Sequence, residues 1–582
     1  MCSWRRCATV GRTGSRVWPL AMLLFWWCCG GSQVSLAAAG NGSRLEVVGA
    51  VQDSTGRGIA GVQVKVELPG QPLAAAGEEP LLTDDQGRFQ GTFFLTAGTA
   101  PPQEVELQAG KPSWQTASVR LRLTPAPLAG SAASSYQAMG RLTLSRQVTP
   151  ALWLAAAILL GVLVLTALGW LHRALAALLG AALMLFLSYT IGQFSSDYFI
   201  ISFSEAIAAL DMNVILLLLG MMLVAGVTRK TGLFQWLAYQ SFTWVRGQIS
   251  ILVLLVMWVT ALISALLDNV TTMLFMMPVA IELATILKIN PVSLLIPEVF
   301  AANVGGTATL IGDPANMIIG SAANLTFGAF VTHLTPVILI CLAATVGYFL
   351  LYFRQVYTQA SKTGAAVSAA PPYYRLSNRR LLCLCLIMLA LMIIFFCLQD
   401  LLGMKPAVAA IMGAVVLVAV SRVNIADLLL SDIQWPSLLF ILALYIVVAG
   451  AAATGLLELL AQQLQHLARG NLTLAVLQVL WISGLASAFI DTIPLTVIML
   501  PIVSFLNAAL PGTEGGILWW ALALGAGLGG TGTLMGASAN LVTAGLAERA
   551  GCPISFLDYL RAGFPPMLIT IGICSLYLLW LR

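Results

Sequence analysis

The chain is predicted to be an all-α polytopic membrane protein, an inverted repeat of five spans plus a re-entrant hairpin per half, preceded by an N-terminal extracytoplasmic β-sandwich. Three observations predict this. Apolar residues make up 59% and charged residues 9% of 582 positions, with a mean hydropathy of +0.90, more hydrophobic surface than a soluble core can hide. Second, Ser264-Ala-Leu-Leu-Asp-Asn-Val-Thr-Thr-Met-Leu-Phe-Met-Met-Pro278 is answered 223 positions later by Ser487-Ala-Phe-Ile-Asp-Thr-Ile-Pro-Leu-Thr-Val-Ile-Met-Leu-Pro501, and Gly305-Gly-Thr-Ala-Thr-Leu-Ile-Gly-Asp-Pro-Ala-Asn316 is answered at a shift of 224 by Gly529-Gly-Thr-Gly-Thr-Leu-Met-Gly-Ala-Ser-Ala-Asn540. Breaks at matching places in two apolar halves are the mark of a secondary transporter, whose site forms where broken helices meet. Third, residues 43–123 alternate in polarity between Gly and Asp turns, the pattern of short half-buried strands.

Taken in order, residues 1–38 read as a signal peptide: Arg5, Arg6, Arg12 and Arg16 precede an apolar run and a small-residue stretch near Ala38. An uncleaved anchor is the alternative, and either places the next segment outside the cytoplasm. That segment, the β domain at 43–123, is expected as a folded spacer or assembly module, and 124–149, rich in Ala, Ser and Pro, as a linker. The first repeat, 150–353, has spans near 151–171, 174–196, 212–228, 292–323 and 332–353, and a cytoplasmic loop, 354–379, separates it from the second. The second repeat, 380–582, has spans near 380–399, 405–421, 435–453, 516–547 and 563–581. Between the third and fourth span of each half lies an apolar stretch interrupted at Asp268-Asn269 or Asp491-Thr492, read as a re-entrant hairpin. Five crossings per half turn the second copy upside down.

Loop charges agree. With the β domain outside, Arg173, Arg229, Lys230, Arg246, Lys288, Arg354, Lys362, Arg375, Arg379, Arg380, Arg422, Arg549 and Arg561 fall in cytoplasmic loops, and only Lys405 and Arg469 fall in outer ones. Arg141 and Arg146 stand against this pattern, and sequons at Asn41, Asn324 and Asn471 fall outside. The segment 230–248, with Trp236, Tyr239, Phe242 and Trp244, is expected along the cytoplasmic interface.

The chemistry concentrates at the breaks. An ionisable group amid apolar residues costs several kcal/mol unless it meets water, a partner or an ion, which makes Asp268 and Asp491 functional candidates. Asp268 could also simply cap a half-helix. Gly305, Gly306 and Gly312 are expected to permit an unwound backbone, with Asn269, Thr271, Thr272, Asn303, Thr307, Thr309 and Asn316 as neutral ligands and Asp313 adding a charge. Thr492, Gly529, Gly530, Thr531, Thr533, Gly536, Ser538 and Asn540 repeat the set without that carboxylate, so the site is asymmetric. Glu282 and Glu298 stand equally as boundary charges or interior groups, His333 as an interfacial residue, and Asp197, Glu205 and Asp211 as outer-loop charges. With no Lys or Arg expected beside them in the spans, Asp268, Asp313 and Asp491 favour a bound cation or an exchangeable proton.

Leu267-Asp-Asn-Val-Thr-Thr272 followed by Glu298-Val-Phe-Ala-Ala-Asn-Val-Gly-Gly-Thr-Ala-Thr-Leu-Ile-Gly-Asp-Pro-Ala-Asn316 resembles the arsenite-permease, sodium/proton-antiporter and melanosomal P-protein branch of the ion transporter superfamily, with its citrate transporter-like domain related to dicarboxylate/sodium symporters. The resemblance spans about 430 residues. It implies hairpins and broken helices that move against a scaffold, often in a homodimer. The hairpin tips depart from the Ser-Asn-Thr of the dicarboxylate carriers. Residues 43–123 resemble the carboxypeptidase-regulatory-like β-sandwich through the Thr83-Asp-Asp-Gln-Gly-Arg-Phe89 hairpin.

Function is therefore expected to be secondary ion transport, a proton or sodium coupled to a small inorganic or organic ion in a lipid bilayer, bacterial inner or eukaryotic secretory-pathway. The substrate stays open between an anion, such as arsenite or a carboxylate, and sodium itself in sodium/proton antiport. An enzyme is not expected, since GxSxG, HExxH, GxGD and Walker GxxxxGK[ST] motifs are absent from the sequence. Neither cofactor nor zinc centre is expected, with His172, His333 and His466 widely spread, and a net charge of +5 held mostly in loops gives no nucleic-acid footprint. A membrane sensor using the β domain is the alternative from another class.

Overall fold

The computed structural model describes residues 44–582 except 54–55, 57, 60, 68–80, 85, 95–103, 112–113, 127–134, 145–147, 234–235, 238–239, 241–247, 363–377 and 514. The expected signal peptide, and much of the loop at 354–379 and of the interfacial segment at 230–248, lie outside the described residues. The chain divides into a strand unit ending at Ser145 and a helical unit.

The strand unit holds β1 (Arg44–Gln52), β2 (Gln63–Glu67), β3 (Leu81–Leu82), β4 (Arg88–Phe94), β5 (Glu104–Gly110), β6 (Ala117–Arg122), β7 (Thr124–Ala126) and β8 (Ser135–Thr143). They form two four-stranded sheets, ordered β4-β1-β8-β7 and β3-β2-β5-β6. Alternation sends Leu45, Val47, Val64, Phe89, Val105, Leu107 and Leu142 into one core. Thr83 joins the turns: its hydroxyl accepts from Val62 N at 2.9 Å and donates to Ile59 O at 2.6 Å. The expected linker at 124–149 is corrected here. It contains β7 and β8, and β8 pairs parallel with β1 from Arg44↔Ser135 to Gln52↔Thr143. The Ala- and Ser-rich composition masked an alternation that buries Ala138, Leu142 and Leu144 and leaves Met139 exposed.

Among the described residues of the helical unit, eight longer helices of the first half are answered in the same order by eight of the second, with shorter helices and Leu456–Ala468 between them. The first copy holds α1 (Pro150–Ala167), α2 (Arg173–Tyr189), α3 (Met212–Arg229), α4 (Ile249–Leu266), α5 (Asn269–Leu287), α6 (Val292–Gly306), α7 (Pro314–Ala323) and α8 (Phe327–Tyr352). The second holds α9 (Arg379–Cys397), α10 (Pro406–Ser421), α11 (Trp435–Ala453), α12 (Leu472–Phe489), α13 (Thr492–Ala509), α14 (Ile517–Gly529), α15 (Ser538–Arg549) and α16 (Phe556–Leu581). Eleven helices among the described residues are long and apolar enough to cross a membrane.

The segments expected as single spans at 292–323 and 516–547 are each two helices, α6–α7 and α14–α15, separated by seven or eight non-helical residues. Pairs α4–α5 and α12–α13 turn at Leu267-Asp268 and Ile490-Asp491. Each turn sits against a break: Thr309 Oγ1 donates to Ala265 O at 2.5 Å, and its counterpart Thr533 donates to Ala488 O. The hairpin tips therefore share the level of the interrupted helices. Core packing surrounds these four breaks, with α6 and α14 buried along their whole lengths.

Candidate functional site

Three of the four half-helices that begin at the breaks start on an aspartate. Asp268 accepts Thr271 N at 3.0 Å, Asp313 accepts Ala315 N at 2.8 Å and Asp491 accepts Ile493 N at 3.2 Å. Each carboxylate thus meets the positive end of a helix dipole. The fourth start, at α15, has Ala537 as its N-cap and no side-chain cap.

Neutral side chains hold these ends in register. Ser264 Oγ donates to Asn269 Oδ1 at 2.7 Å, and Asn269 Nδ2 donates to Asp313 Oδ2 at 2.9 Å, tying the first hairpin to the first break. In the second copy Thr492 Oγ1 donates to Gly536 O at 3.0 Å, a tie without charge. Within the breaks, Asn316 Nδ2 donates to Thr307 O and Thr309 O at 3.1 and 2.9 Å, and Asn540 Nδ2 donates to Gly530 O and Thr533 O at 2.9 and 2.8 Å. The two copies meet where Asn303 Nδ2 donates to Asn540 Oδ1 at 2.8 Å. Carbonyl positions set the amide orientations: Asn540 must turn its NH2 to two carbonyls, so it offers oxygen to Asn303. Asn303 Oδ1, in a residue 1% exposed, is thereby left without a partner.

The glycines act differently from expectation. None of Gly305, Gly306, Gly312, Gly529, Gly530 and Gly536 has positive φ. They are needed for close approach: a methyl on Gly306 would lie 2.0 Å from Asn269 Oδ1, and one on Gly530 would lie 2.6 Å from Thr492 Oγ1. Gly305 and Gly529 press on Ala261 O and Gly484 O, where a methyl would meet each oxygen at 2.2 Å. A methyl on Gly527 would likewise meet Thr307 Oγ1 at 2.5 Å, so the interrupted helices touch each other there.

A cavity of about 50 Å³ opens among these ends, lined by Asp268, Asn269, Asn303, Asp313, Asp491, Thr492 and Ser538 together with Met221, Met222 and Gln434. The remaining expected residues stand behind this wall. Thr307, Thr309, Asn316, Thr533, Asn540 and the glycines build the breaks, and Thr531 turns its hydroxyl to Leu528 O at 2.6 Å. Thr271 lies 3.5 Å from Gln434 Nε2, and Thr272 keeps a buried hydroxyl with no hydrogen-bond partner among the described residues. Among those residues no three His, Cys, Asp or Glu side chains are placed to hold one metal ion, so the three aspartates share a cavity without forming one cage.

The expectation that no cation lies beside the aspartates is overturned. Arg173, expected in a cytoplasmic loop, is the first residue of α2 and lines the cavity with its Nη1 3.6 Å from Asp491 Oδ2. The same nitrogen donates to Ser538, Nη2 donates to Ser437 Oγ at 2.8 Å, and the guanidinium lies 5.8 Å from the Phe440 ring centre. Ser538 Oγ in turn donates to Asp491 Oδ2 at 2.7 Å. Sequence reasoning also missed Gln434 and Ser437, which stand at the start of α11 and carry no repeated motif. Their one available signal was polarity at a span boundary, where it reads equally as solvent contact.

Two other acidic readings are settled. Glu298 is an interior group, 1% exposed on α6, and accepts Thr260 Oγ1 at 3.3 Å while its second oxygen has no partner among the described residues. Asp211 caps α3, accepting Asn213 N and Val214 N at 3.0 and 3.3 Å. His333 stacks on Trp520 with ring centres 4.8 Å apart.

The chain is similar to several known proteins. An uncharacterized transporter of Mycobacterium bovis is 40% identical over 376 residues, covering 64% of this chain and 86% of its own length. The 46 kDa membrane protein of Mycobacterium leprae is 38% identical over 412 residues, covering 71% and 94%. The P protein of Homo sapiens is 31% identical over 507 residues, covering 73% of this chain and 59% of itself. Among solved structures, the YdaH transporter of Alcanivorax borkumensis aligns with 17% identity and a TM-score of 0.49 over 71% of this chain and 98% of its own. The family profile described as citrate transporter, CitMHS, matches residues 162–525. The chain is thus a multi-pass membrane transporter and no enzyme, and it belongs to the citrate transporter family.

Proposed function

We propose that the chain is a secondary active transporter in which proton or sodium movement drives a small anion, the two ions binding at opposite poles of the cavity. The carrying observation is the asymmetry of the breaks. On the first copy's side, Asp268, Asp313 and the unpaired Asn303 Oδ1 present oxygens alone, and the carboxylates of Asp491 and Asp268 both repel that of Asp313. A bound cation or proton relieves that repulsion. On the second copy's side Ala537 stands where the first has Asp313, the α15 N-terminus lacks a side-chain cap, and the one carboxylate there, Asp491, is already answered by Arg173 and Ser538. That pole suits an anion.

The description of the family supports a carboxylate, and the cavity bounds its size. A water molecule needs roughly 10–15 Å³ on this measure, so about 50 Å³ suits a small oxyanion such as arsenite or a short carboxylate better than citrate. Sodium/proton antiport is the second reading, favoured by the oxygen-only pole, which needs no anion. Inverted membrane orientation of the two copies, re-entrant hairpins and an extracytoplasmic β unit belong to the proposal; tips at the level of the breaks and the loop charges support them.

The test uses purified protein in proteoliposomes with an internal pH-sensitive dye. Proton movement that requires an added anion supports cation-coupled anion transport. Movement on adding sodium alone establishes antiport and removes the anion pole. No response in correctly inserted protein, with ligand-dependent changes confined to residues 44–144, would favour the sensor reading. Crosslinking in the same vesicles reads whether the working form is the homodimer that the family resemblance implies.

A further inference from the structure

Arg173 does more than neutralise Asp491. It ties four elements together: α2, on which it sits, the tip of the second hairpin through Asp491, the start of α15 through Ser538, and α11 through Ser437. Beyond it lies a second cavity of about 240 Å³, bordered by the α1–α2 turn at Gly169 and His172 and by Phe440 and Val542. Arg173, Asp491 and Ser538 line both cavities, and no other described residue does. They are the partition between them.

We propose that the Arg173–Asp491–Ser538 cluster is a gate through which ions pass between this vestibule and the central cavity, opened when the guanidinium releases Asp491 and Ser538. The proposal rests on reading the central cavity as the ion site. An arginine suits the task because its fork reaches Ser538 and Ser437 from separate nitrogens. It can drop the hairpin side while Ser437 keeps it on α11. Opening also bares a carboxylate and a guanidinium at the passage, so ions of either sign meet a counter-charge there and uncharged solutes meet none.

The opposite approach is unlike this one. A cavity of about 270 Å³ beside Asn213, Asn324 and Lys405 shares Met317 with the central cavity among the described residues. Lys405 stands at the start of α10 as Arg173 does at α2, and among the described residues it forms no ion pair like that of Arg173 with Asp491.

The test is thiol accessibility in the detergent-solubilised full chain, read with methanethiosulfonate ethyltrimethylammonium. Ile441→Cys reports the central cavity and Val542→Cys the vestibule, each corrected for the same chain without the added cysteine. Arg173→Ala should raise the labelling rate at Ile441→Cys about tenfold, the scale of losing one charge-assisted contact, and leave Val542→Cys unchanged. Arg173→Gln, which keeps donors without charge, should raise it less. An unchanged rate at Ile441→Cys in both backgrounds, with Val542→Cys labelled normally, overturns the gate. A rise at both reporters signals general loosening and also overturns it. Because labelling needs no substrate, a positive result with silent proteoliposomes would keep the gate and sink the proposed coupling of proton or sodium to those anions; normal flux with unchanged labelling would do the reverse.

Discussion

Asp268 carries two duties, capping α5 and facing the cavity, and these separate by substitution. Asparagine keeps an acceptor for Thr271 N but removes the charge, so Asp268→Asn should insert and fold normally. It should nevertheless lower cation-dependent flux roughly thirtyfold or more, the effect of losing about 2 kcal/mol of charge-assisted binding. Flux that survives in a well-inserted variant would strip Asp268 of that role. Gly306 makes a steric prediction: the alanine methyl would meet Asn269 Oδ1 at 2.0 Å, and overpacking of this kind costs about 1–3 kcal/mol. Gly306→Ala should thus lower the thermal midpoint in detergent and slow transport. Gly347→Ala on α8, with nothing within 4 Å of the new methyl, should stay within about 0.5 kcal/mol of the parent.

At the scale of elements, the crossing of the interrupted helices depends on one amide pair. Asn540→Ala frees the carbonyls of Gly530 and Thr533 and the amide of Asn303 together. Each stranded buried group costs about 1–3 kcal/mol, so this variant should unfold earlier than Asn316→Ala, which frees only Thr307 O and Thr309 O. Differential scanning fluorimetry of the two variants side by side checks the order. In the strand unit, β8 lies between β1 and β7. A fragment of residues 44–144 should melt cooperatively by circular dichroism, whereas 44–123, which leaves β1 an unpaired edge, should not.

For the whole molecule, the strand unit and the helical unit each have their own core. Removing residues 44–144 while keeping residues 1–43 should leave ion flux within about twofold of the parent, since no described residue of that segment lines the central cavity. Flux that disappears although the helical unit inserts would return the sensor reading. The same separation explains why composition could be read twice in one chain, as alternation in one part and long apolar runs in the other.

Local chemistry determined a great deal without help. The doubled motifs marked the hairpin tips and both breaks, because an aspartate or a Gly-Gly-Thr inside an apolar run cannot be silent in a membrane. Alternation revealed β1, β2 and β4 for the same kind of reason: the pattern lies within a few consecutive residues. Only tertiary structure decided what depends on partners far along the chain. Arg173 reads as a loop charge until folding brings it beside Asp491 and Ser538, 318 and 365 positions away. Glu298 reads equally as a boundary charge or an interior group until Thr260 of α4 meets it in the core. The glycines read as residues that permit an unwound backbone until the hairpins are pressed against them. β8 hid in a linker composition because its partner, β1, begins about 90 residues earlier. Sequence spacing determines which faces are apolar and where helices break; which charge answers which is settled only when the two copies close around one cavity.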